Sequence, residues 1–404
     1  MGASLPFLFE MTSSIFLDFA ERMKRKALRV RSEGSIPPYV TEAESRKQHR
    51  DSPLCNSLIF VRFRGFVLLF LLLGSGYCLV AQQRFTIVSY NVENLFDTIP
   101  STRWDDREYL PTARKGWTAE RMKRKCRQLA EVISHATAWD IPALIALQEV
   151  ESVEALEQLA HYTLLRGGNY KTICATGSDR RGSHVALLYD ADRFAVEHTE
   201  EWPLRITPDS IYPTRNLLFV SGRLPSAAPL SLIVCHLPSR RGGATAEAAR
   251  AALIEMLRMR TDSLLRANPE QSIVVVGDFN APPEDGLTDS WAASYHTYLS
   301  QSDSLAMVDL TPPFTDEQLK MMPPGSYYYR GYWERIDRLF VSRTLLIETR
   351  YPRLELETVR IALPPQKYMH ESPAPWGRPR RTYGGDSYLA GPSDHLPLVA
   401  TLLY

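Results

Sequence analysis

Eight polar residues fall where runs of β-forming residues stop: Asn91, Glu149, His236, Asp278, Asn280, Asp337, Asp394 and His395. Strand ends converge at one edge of a sheet, and eight polar groups gathered there would otherwise leave unpaired polar atoms near the core. Carboxylates, imidazoles and amides brought together can hold a hard cation and move protons. The sharpest segment is Gly277-Asp278-Phe279-Asn280, where an apolar run gives way to two polar side chains ahead of Pro282-Pro283. Ser393-Asp394-His395 adds an adjacent carboxylate and imidazole. Taken singly, each residue has an ordinary account. Asn91 suits a turn, Glu149 suits the cap of a following helix, and His236 suits a structural role at a strand end.

The elements that must position these groups alternate along the chain from Arg84 onward. Phe85–Tyr90 is a β-rich run ending at Asn91. The pattern predicts an amphipathic helix over Thr118–Ala136, with Met122, Cys126, Leu129 and Ile133 on one face. Its other face carries Arg121, Lys123, Arg124, Lys125 and Arg127, read as a solvated face, with a phosphate contact as the alternative. A short buried strand over Ala143–Leu147 leads to Gln148-Glu149, and a second helix follows over 153–161. Val185–Tyr189, Leu217–Leu224 and Leu230–Cys235 read as strands. A long Ala-rich helix covers about Thr245–Ala267, and Ser272–Val276 is a buried strand stopping at Gly277. Arg335–Ser342 and Leu396–Leu403 read as closing strands. A loop rich in Pro, Tyr and Gly runs from Thr311 to Trp333, long enough to suggest a functional role.

Residues 1–57 do not conform to this pattern and read as an N-terminal extension or a start assigned too early. Residues 58–81 have the layout of a secretory signal: Arg62 and Arg64, the apolar run Phe66–Leu73, then small residues and Ala81, after which cleavage is expected. The apolar run is shorter than the roughly 20 residues of a membrane span, although an uncleaved anchor is the alternative. The expectation is an exported protein of periplasm, outer surface or medium, probing its membrane only through this segment. Removal of Cys55 and Cys78 would leave three cysteines, enough for at most one disulfide. In the 404-residue chain, 44% hydrophobic and 23% charged, the net charge of +1 excludes a global basic field of the sort that marks an obligate nucleic-acid binder. No Cys pair or Cys/His cluster of zinc type occurs.

Six short motifs, in order, resemble those of the endonuclease/exonuclease/phosphatase superfamily, the DNase I-like proteins. They are Ser89-Tyr90-Asn91-Val92-Glu93-Asn94, Leu147-Gln148-Glu149-Val150, Val234-Cys235-His236-Leu237, Gly277-Asp278-Phe279-Asn280, Arg335-Ile336-Asp337-Arg338 and Ser393-Asp394-His395. Each is weak alone, and together they span one domain over 84–404. The resemblance implies an α/β fold, a four-layer αββα sandwich of two packed mixed sheets flanked by helices. It implies a phosphoester hydrolase using Mg²⁺, with Mn²⁺ as the substitute. Such a reaction needs an activated water and relief of charge on the phosphoryl oxygens. By resemblance, Glu149 holds the metal, with Asn91 and Asp394 beside the metal or phosphate. His395 is the acid or base, held in one tautomer by Asp337. Asp278 and Asn280 position the water and phosphate, and His236 donates to a phosphoryl oxygen. Arg215 is a further candidate for a phosphate contact.

Substrate is less constrained than reaction type, because a shared fold carries many substrates. Arg180-Arg181-Gly182-Ser183-His184 and Arg240-Arg241-Gly242-Gly243 could track a phosphate backbone, and Tyr327, Tyr328, Tyr329, Tyr332 and Trp333 could stack on bases. Solvated loops and a packed aromatic loop are the ordinary alternatives. The reading favoured is a monomeric nuclease or phosphodiesterase acting on nucleic acid, with no stable protein partner. The alternatives are a phosphatase or phospholipase acting on inositol phosphates, sugar phosphates or sphingomyelin-like lipids, and a non-catalytic surface binding module.

Overall fold

A computed structural model of the chain describes residues 83–207, 209–300, 307–371 and 376–404. The extension at 1–57 and the signal segment at 58–81 lie outside the described residues. No helix among the described residues is long and apolar enough to cross a membrane.

In chain order, the strands of the two large sheets begin with β1 (Arg84–Leu95), β2 (Leu144–Val150), β3 (Tyr170–Cys174), β4 (His184–Asp190), β5 (Ala195–Trp202) and β6 (Leu217–Arg223). They continue with β7 (Pro229–His236), β8 (Ser272–Asp278), β9 (Ala292–Ser294), β10 (Met307–Asp309), β11 (Asp337–Ser342), β12 (Arg353–Ile361) and β13 (Leu398–Leu403). One sheet has the order β12-β13-β1-β2-β4-β3, and the other β9-β10-β11-β8-β7-β6-β5. Both are mixed: β1 is parallel to β2 and antiparallel to β13, while β8 is parallel to β7 and antiparallel to β11.

Helices α1 (Ala119–Ala136) and α2 (Val153–His161) cover the first sheet, and α3 (Gly243–Ala267) covers the second. The expected four-layer sandwich is therefore present. Thr118 caps α1 by accepting from the Arg121 amide, and Ser152 caps α2 by accepting from Ala155. Ser152, not Glu149, caps this helix, which leaves the Glu149 carboxylate for the cleft.

Strand parity decides what each sheet face carries. In β8, Val274 and Val276 enter the core between the sheets, while Ile273 and Val275 pack under α3. Continuing that alternation sends Asp278 to the inter-sheet face. In β7, Leu230, Leu232 and Val234 face the inter-sheet core, and His236 follows them. In β11, Leu339 and Val341 do so, which assigns Asp337 to the same side. In β1, Phe85 and Ile87 set the inter-sheet parity that Asn91 inherits, whereas Val88, Tyr90 and Val92 pack toward the helices.

Several elements differ from the sequence-based expectation. β1 continues past Asn91 to Leu95, so Asn91 lies within a strand. The closing strands start at Asp337 and Leu398, two residues later than expected. Both run antiparallel to their neighbours: Asp337 begins opposite Asp278 at the end of β8, and Leu398 begins opposite Ser89, two residues before Asn91 in β1. The stretch from Thr311 to Trp333 is not one loop: it contains a helix at Asp316–Met321 and a ribbon pairing Tyr327–Tyr329 with Tyr332–Glu334. The solvated face assigned to α1 is wrong at Lys125, which is fully buried. Its ammonium reaches Thr382 Oγ1 and the Pro392 carbonyl, so a long aliphatic stem and a satisfied head place a cation inside the fold. Cys126, Cys174 and Cys235 are free thiols.

Candidate active site

The site lies where β1, β2, β7, β8 and β11 present their inter-sheet edge. Its centre is one rung of the second sheet, in which Asp278 pairs with His236 of β7 on one side and Asp337 of β11 on the other. Gly277 makes this rung possible. Its φ is +140°, and a Cβ there would stand 1.9 Å from the Cys235 carbonyl oxygen, so only glycine fits. Four non-glycine residues at the cleft also have positive φ: Glu93 (48°), Asn94 (59°), Glu149 (67°) and Asn280 (49°). Backbone of this kind concentrates where function over-determines geometry. At Glu149 it coincides with a break in the β2–β4 register, and the carboxylate turns to the cleft, against the parity of β2.

Asn91 is buried and ties the two sheets' carboxylates together. Its Nδ2 donates to Asp278 Oδ2 at 3.0 Å and to Glu149 Oε1 at 3.3 Å, while its Oδ1 accepts from the Glu93 amide at 3.0 Å. Glu149 also accepts from the Asn94 amide, and Asp278 Oδ1 accepts from the Asn280 amide at 2.8 Å. The Asn280 side chain donates to the Leu237 carbonyl at 3.0 Å. His236 Nε2 stands 3.6 Å from Asp278 Oδ2 and 3.9 Å from Glu149 Oε1.

His395 is buried and hydrogen-bonded through Nδ1 to Asp337 Oδ2 at 2.7 Å. Ser326 donates to the same oxygen at 2.6 Å. Tyr327 stacks on the imidazole, with ring centroids 4.5 Å apart. Nε2 of His395 points to the other side, 3.9 Å from Asp278 Oδ2. Asp394 is half-buried and paired with Arg381. Arg215 is buried, with Nε 3.4 Å from Asp179 Oδ2.

Burial and neighbours set the two histidines apart. Burial pushes His236 well below its ordinary pKa, and Arg215 and Arg181 act in the same direction, so its ring is neutral. Burial pushes His395 down as well, but the Asp337 contact outweighs it, helped by Asp278 and Asp394, and its pKa rises to about 10. Asp278 is pushed up to about 7, first by burial and then by the charge of Asp337. At neutral pH the site therefore holds an imidazolium at His395, a neutral imidazole at His236 and a carboxylate at Asp278 poised to take a proton.

The donor atoms of Asp278, Asp337 and His395 lie within 4.8 Å of one another, near enough to share a cation. The hydrogen bonds argue for another use. Asp337 Oδ2 already accepts from Ser326 and His395, and Nδ1 of His395 is committed to Asp337. Glu149 offers a better fit, with Asp394 lining the same cleft. The Glu149 carboxylate meets Asn91, and no Lys or Arg pairs with it among the described residues. Uncompensated oxygen donors of this kind suit a hard divalent cation.

A cleft of about 530 Å³ collects Glu149, Arg215, His236, Asp278, Asn280, Asp394 and His395. Asn91 and Asp337 stand behind its wall, joined to Asp278 and His395 by the bonds above. Arg181, Arg240, Arg241, Tyr327 and Tyr329 also line the cleft. Ser326, Glu93 and Arg381 were not singled out as site residues from sequence, and Tyr327 was singled out only for stacking on bases, not for its place on the His395 ring. Ser326 and Tyr327 lay within the flagged Tyr-rich stretch, and Glu93 within a motif, but nothing distinguishes Arg381 from other arginines in the chain.

A buried carboxylate set between two histidines, beside a cleft lined with arginines, suits the chemistry of one class of enzymes, the phosphoester hydrolases. The chain belongs to the endonuclease/exonuclease/phosphatase family, whose model matches residues 86–403, from within β1 to the last residue of β13. Enzymes of this family depend on divalent metal. Solved structures with similar folds include truncated TDP2 of Caenorhabditis elegans, at 14% identity and a TM-score of 0.48 over 80% of this chain and 98% of that one. A mannosyl-6-phosphatase of Bacteroides thetaiotaomicron aligns at 16% identity and a TM-score of 0.47, over 79% and 100% of the two chains. The human Nocturnin catalytic domain with bound sulfate aligns at 17% identity and a TM-score of 0.46, over 80% and 98%. No curated protein sequence matches the chain.

Proposed function

We propose that this phosphoesterase hydrolyses phosphodiester bonds of nucleic acid, with Mg²⁺ as its cation and Mn²⁺ as a substitute. The observation that carries this reading is the distribution of arginines. Arg181, Arg215, Arg240, Arg241 and Arg381 come from four separate segments and line one cleft beside Tyr327 and Tyr329. Charges on several sides of a reaction centre suit a substrate with phosphates flanking the one attacked, and tyrosines at the wall suit bases. The tyrosine support is narrower than the sequence suggested, since Tyr328, Tyr332 and Trp333 do not line the cleft.

Glu149, with Asp394, would hold the cation, which supplies charge relief on the phosphoryl oxygens. Asn91, as placed, presents an N–H to both carboxylates and keeps Glu149 and Asp278 in register. Asp278 takes the proton of the attacking water through Oδ2, the oxygen facing both histidines. His236, neutral, donates from Nε2 to a phosphoryl oxygen. His395 holds its Nε2 proton toward the developing charge, and Asp337 and Ser326 fix its ring. Arg215, held by Asp179, receives an outer phosphate oxygen.

The test is turnover of bis-p-nitrophenyl phosphate against p-nitrophenyl phosphate, each with Mg²⁺ and with EDTA, followed by single-stranded DNA and RNA. EDTA-sensitive diester preference supports the reading, and monoester preference sinks it. A second reading, a phosphatase for a small phosphorylated sugar, inositol or lipid headgroup, draws support from the cleft volume. About 530 Å³ is a size that encloses a small molecule. We also propose export, on the signal-like layout of residues 58–81. N-terminal sequencing of the mature protein should read from Gln82, and retention of Arg62 would overturn it.

A further inference from the structure

Arg381 stands at the rim of the cleft between two acids. One terminal nitrogen contacts Asp394 Oδ2, and Nε lies 3.7 Å from Glu93 Oε1. That Nε is buried and makes no hydrogen bond. The backbone on which Arg381 sits is clamped. The Thr382 amide donates to Glu93 Oε2 at 2.6 Å, and the Gly391 amide donates to the Arg381 carbonyl at 3.1 Å. Lys125 ties Thr382 to Pro392, just ahead of the Ser393-Asp394-His395 segment. The side chain itself is 42% exposed and lines the cleft. A fixed root and a half-exposed head give the guanidinium room to move while its anchor stays still. No other Lys or Arg pairs with Asp394 among the described residues.

A carboxylate oxygen engaged by a guanidinium is not available to a divalent cation, and the two positive charges repel at such range. A substrate phosphate is a good alternative partner for that guanidinium, because arginine's fork matches phosphate as well as carboxylate. We infer that Arg381 is an exchange residue: it holds Asp394 while the cleft is empty, and trades it for substrate phosphate, releasing Asp394 to the cation. This rests on the reading above that the cleft holds a divalent cation. It makes cation and substrate binding mutually reinforcing, because each favours the same displacement of Arg381.

The test is calorimetric titration of the purified full chain with Mn²⁺, with and without saturating dimethyl phosphate. Arg381→Gln should bind Mn²⁺ at least tenfold more tightly than wild type, with an unchanged melting temperature. In an Asp394→Asn background, the same change should bring no tightening. Arg381→Lys keeps the charge but loses the fork, so its affinity should fall between the two. Dimethyl phosphate should tighten Mn²⁺ binding to wild type and leave Arg381→Gln unmoved. Affinity in Arg381→Gln equal to or below wild type overturns the inference, as does independent binding of the two ligands in wild type. Tightening that persists undiminished with Asp394→Asn would show a long-range charge effect and also overturn it. Absence of Mn²⁺ binding in every variant removes the cation reading itself, whereas wild-type binding with no Arg381 effect removes only this inference.

Discussion

The hydrogen bond from His395 Nδ1 to Asp337 Oδ2, 2.7 Å long, joins the two sheets behind the wall of the cleft. Asp337 opens β11 of the second sheet, and His395 lies just ahead of β13 of the first. Through this contact the pKa of His395 stands at about 10. Asp337→Asn should lower turnover by about 10²- to 10⁴-fold. It should also move the alkaline limb of the pH–rate profile from about 10 toward the ordinary histidine value of about 6.5. An unmoved limb would remove Asp337 from the mechanism. The sign for stability follows from the raised value: the support is complete below the ordinary pKa and lost as pH rises through about 10. The melting difference between wild type and Asp337→Asn should therefore narrow over that interval.

Asp278 has the opposite energetics. Burial and Asp337 raise its pKa to about 7, so the folded protein holds a proton that the unfolded chain releases near pH 4. Its ionisation costs stability as pH rises across that interval. Asp278→Asn should reduce turnover by several orders of magnitude and abolish the acidic limb near 7. At pH 8 it should melt no lower than wild type. Near-normal turnover would refute the role as base, and a lower melting temperature would refute the energetic account.

Gly277 permits the central rung by having no side chain. An alanine Cβ would sit 1.9 Å from the Cys235 carbonyl oxygen, at a φ of +140° that alanine resists. Gly277→Ala should cost about 3 kcal/mol. Urea denaturation should show a lower midpoint at constant slope. A midpoint unchanged from wild type would mean that the two strands separate there at little cost.

Lys125→Met should also cost about 3 kcal/mol, since it removes the bonds to Thr382 and Pro392 and takes from the buried Glu93 one of the two cations that act on it. Lys123→Met, on the exposed face of the same helix, should change stability by less than about 0.5 kcal/mol. Equal effects in the two variants would show that the Lys125 contacts contribute nothing.

Much of the cleft was legible because strand parity carries a residue's address. Once Val274 and Val276 are placed in the inter-sheet core, Asp278 follows, and the same reasoning places His236, Asp337 and Asn91. Glu149 has the wrong parity, and only its left-handed backbone brings it to the site, a conformation that no periodicity announces. Lys125 was misread because its helical position sits among four other cations. What distinguishes it is a loop more than two hundred residues later that supplies two oxygens. Arg381 and Ser326 owe their places to long-range packing, which short motifs do not encode.

His236, Asp278 and Asp337 share one rung across three strands, so their spacing is the interstrand repeat of about 4.8 Å. That interval is a property of the peptide backbone and is indifferent to side chains elsewhere. The segments bearing Arg181 and Arg240 lie outside this ladder, and they can be exchanged in length and charge without altering the ruler beneath them. A scaffold arranged in this way separates the mechanism, written in backbone pitch, from substrate choice, written in loops. New specificities can then be selected without rebuilding the catalytic core.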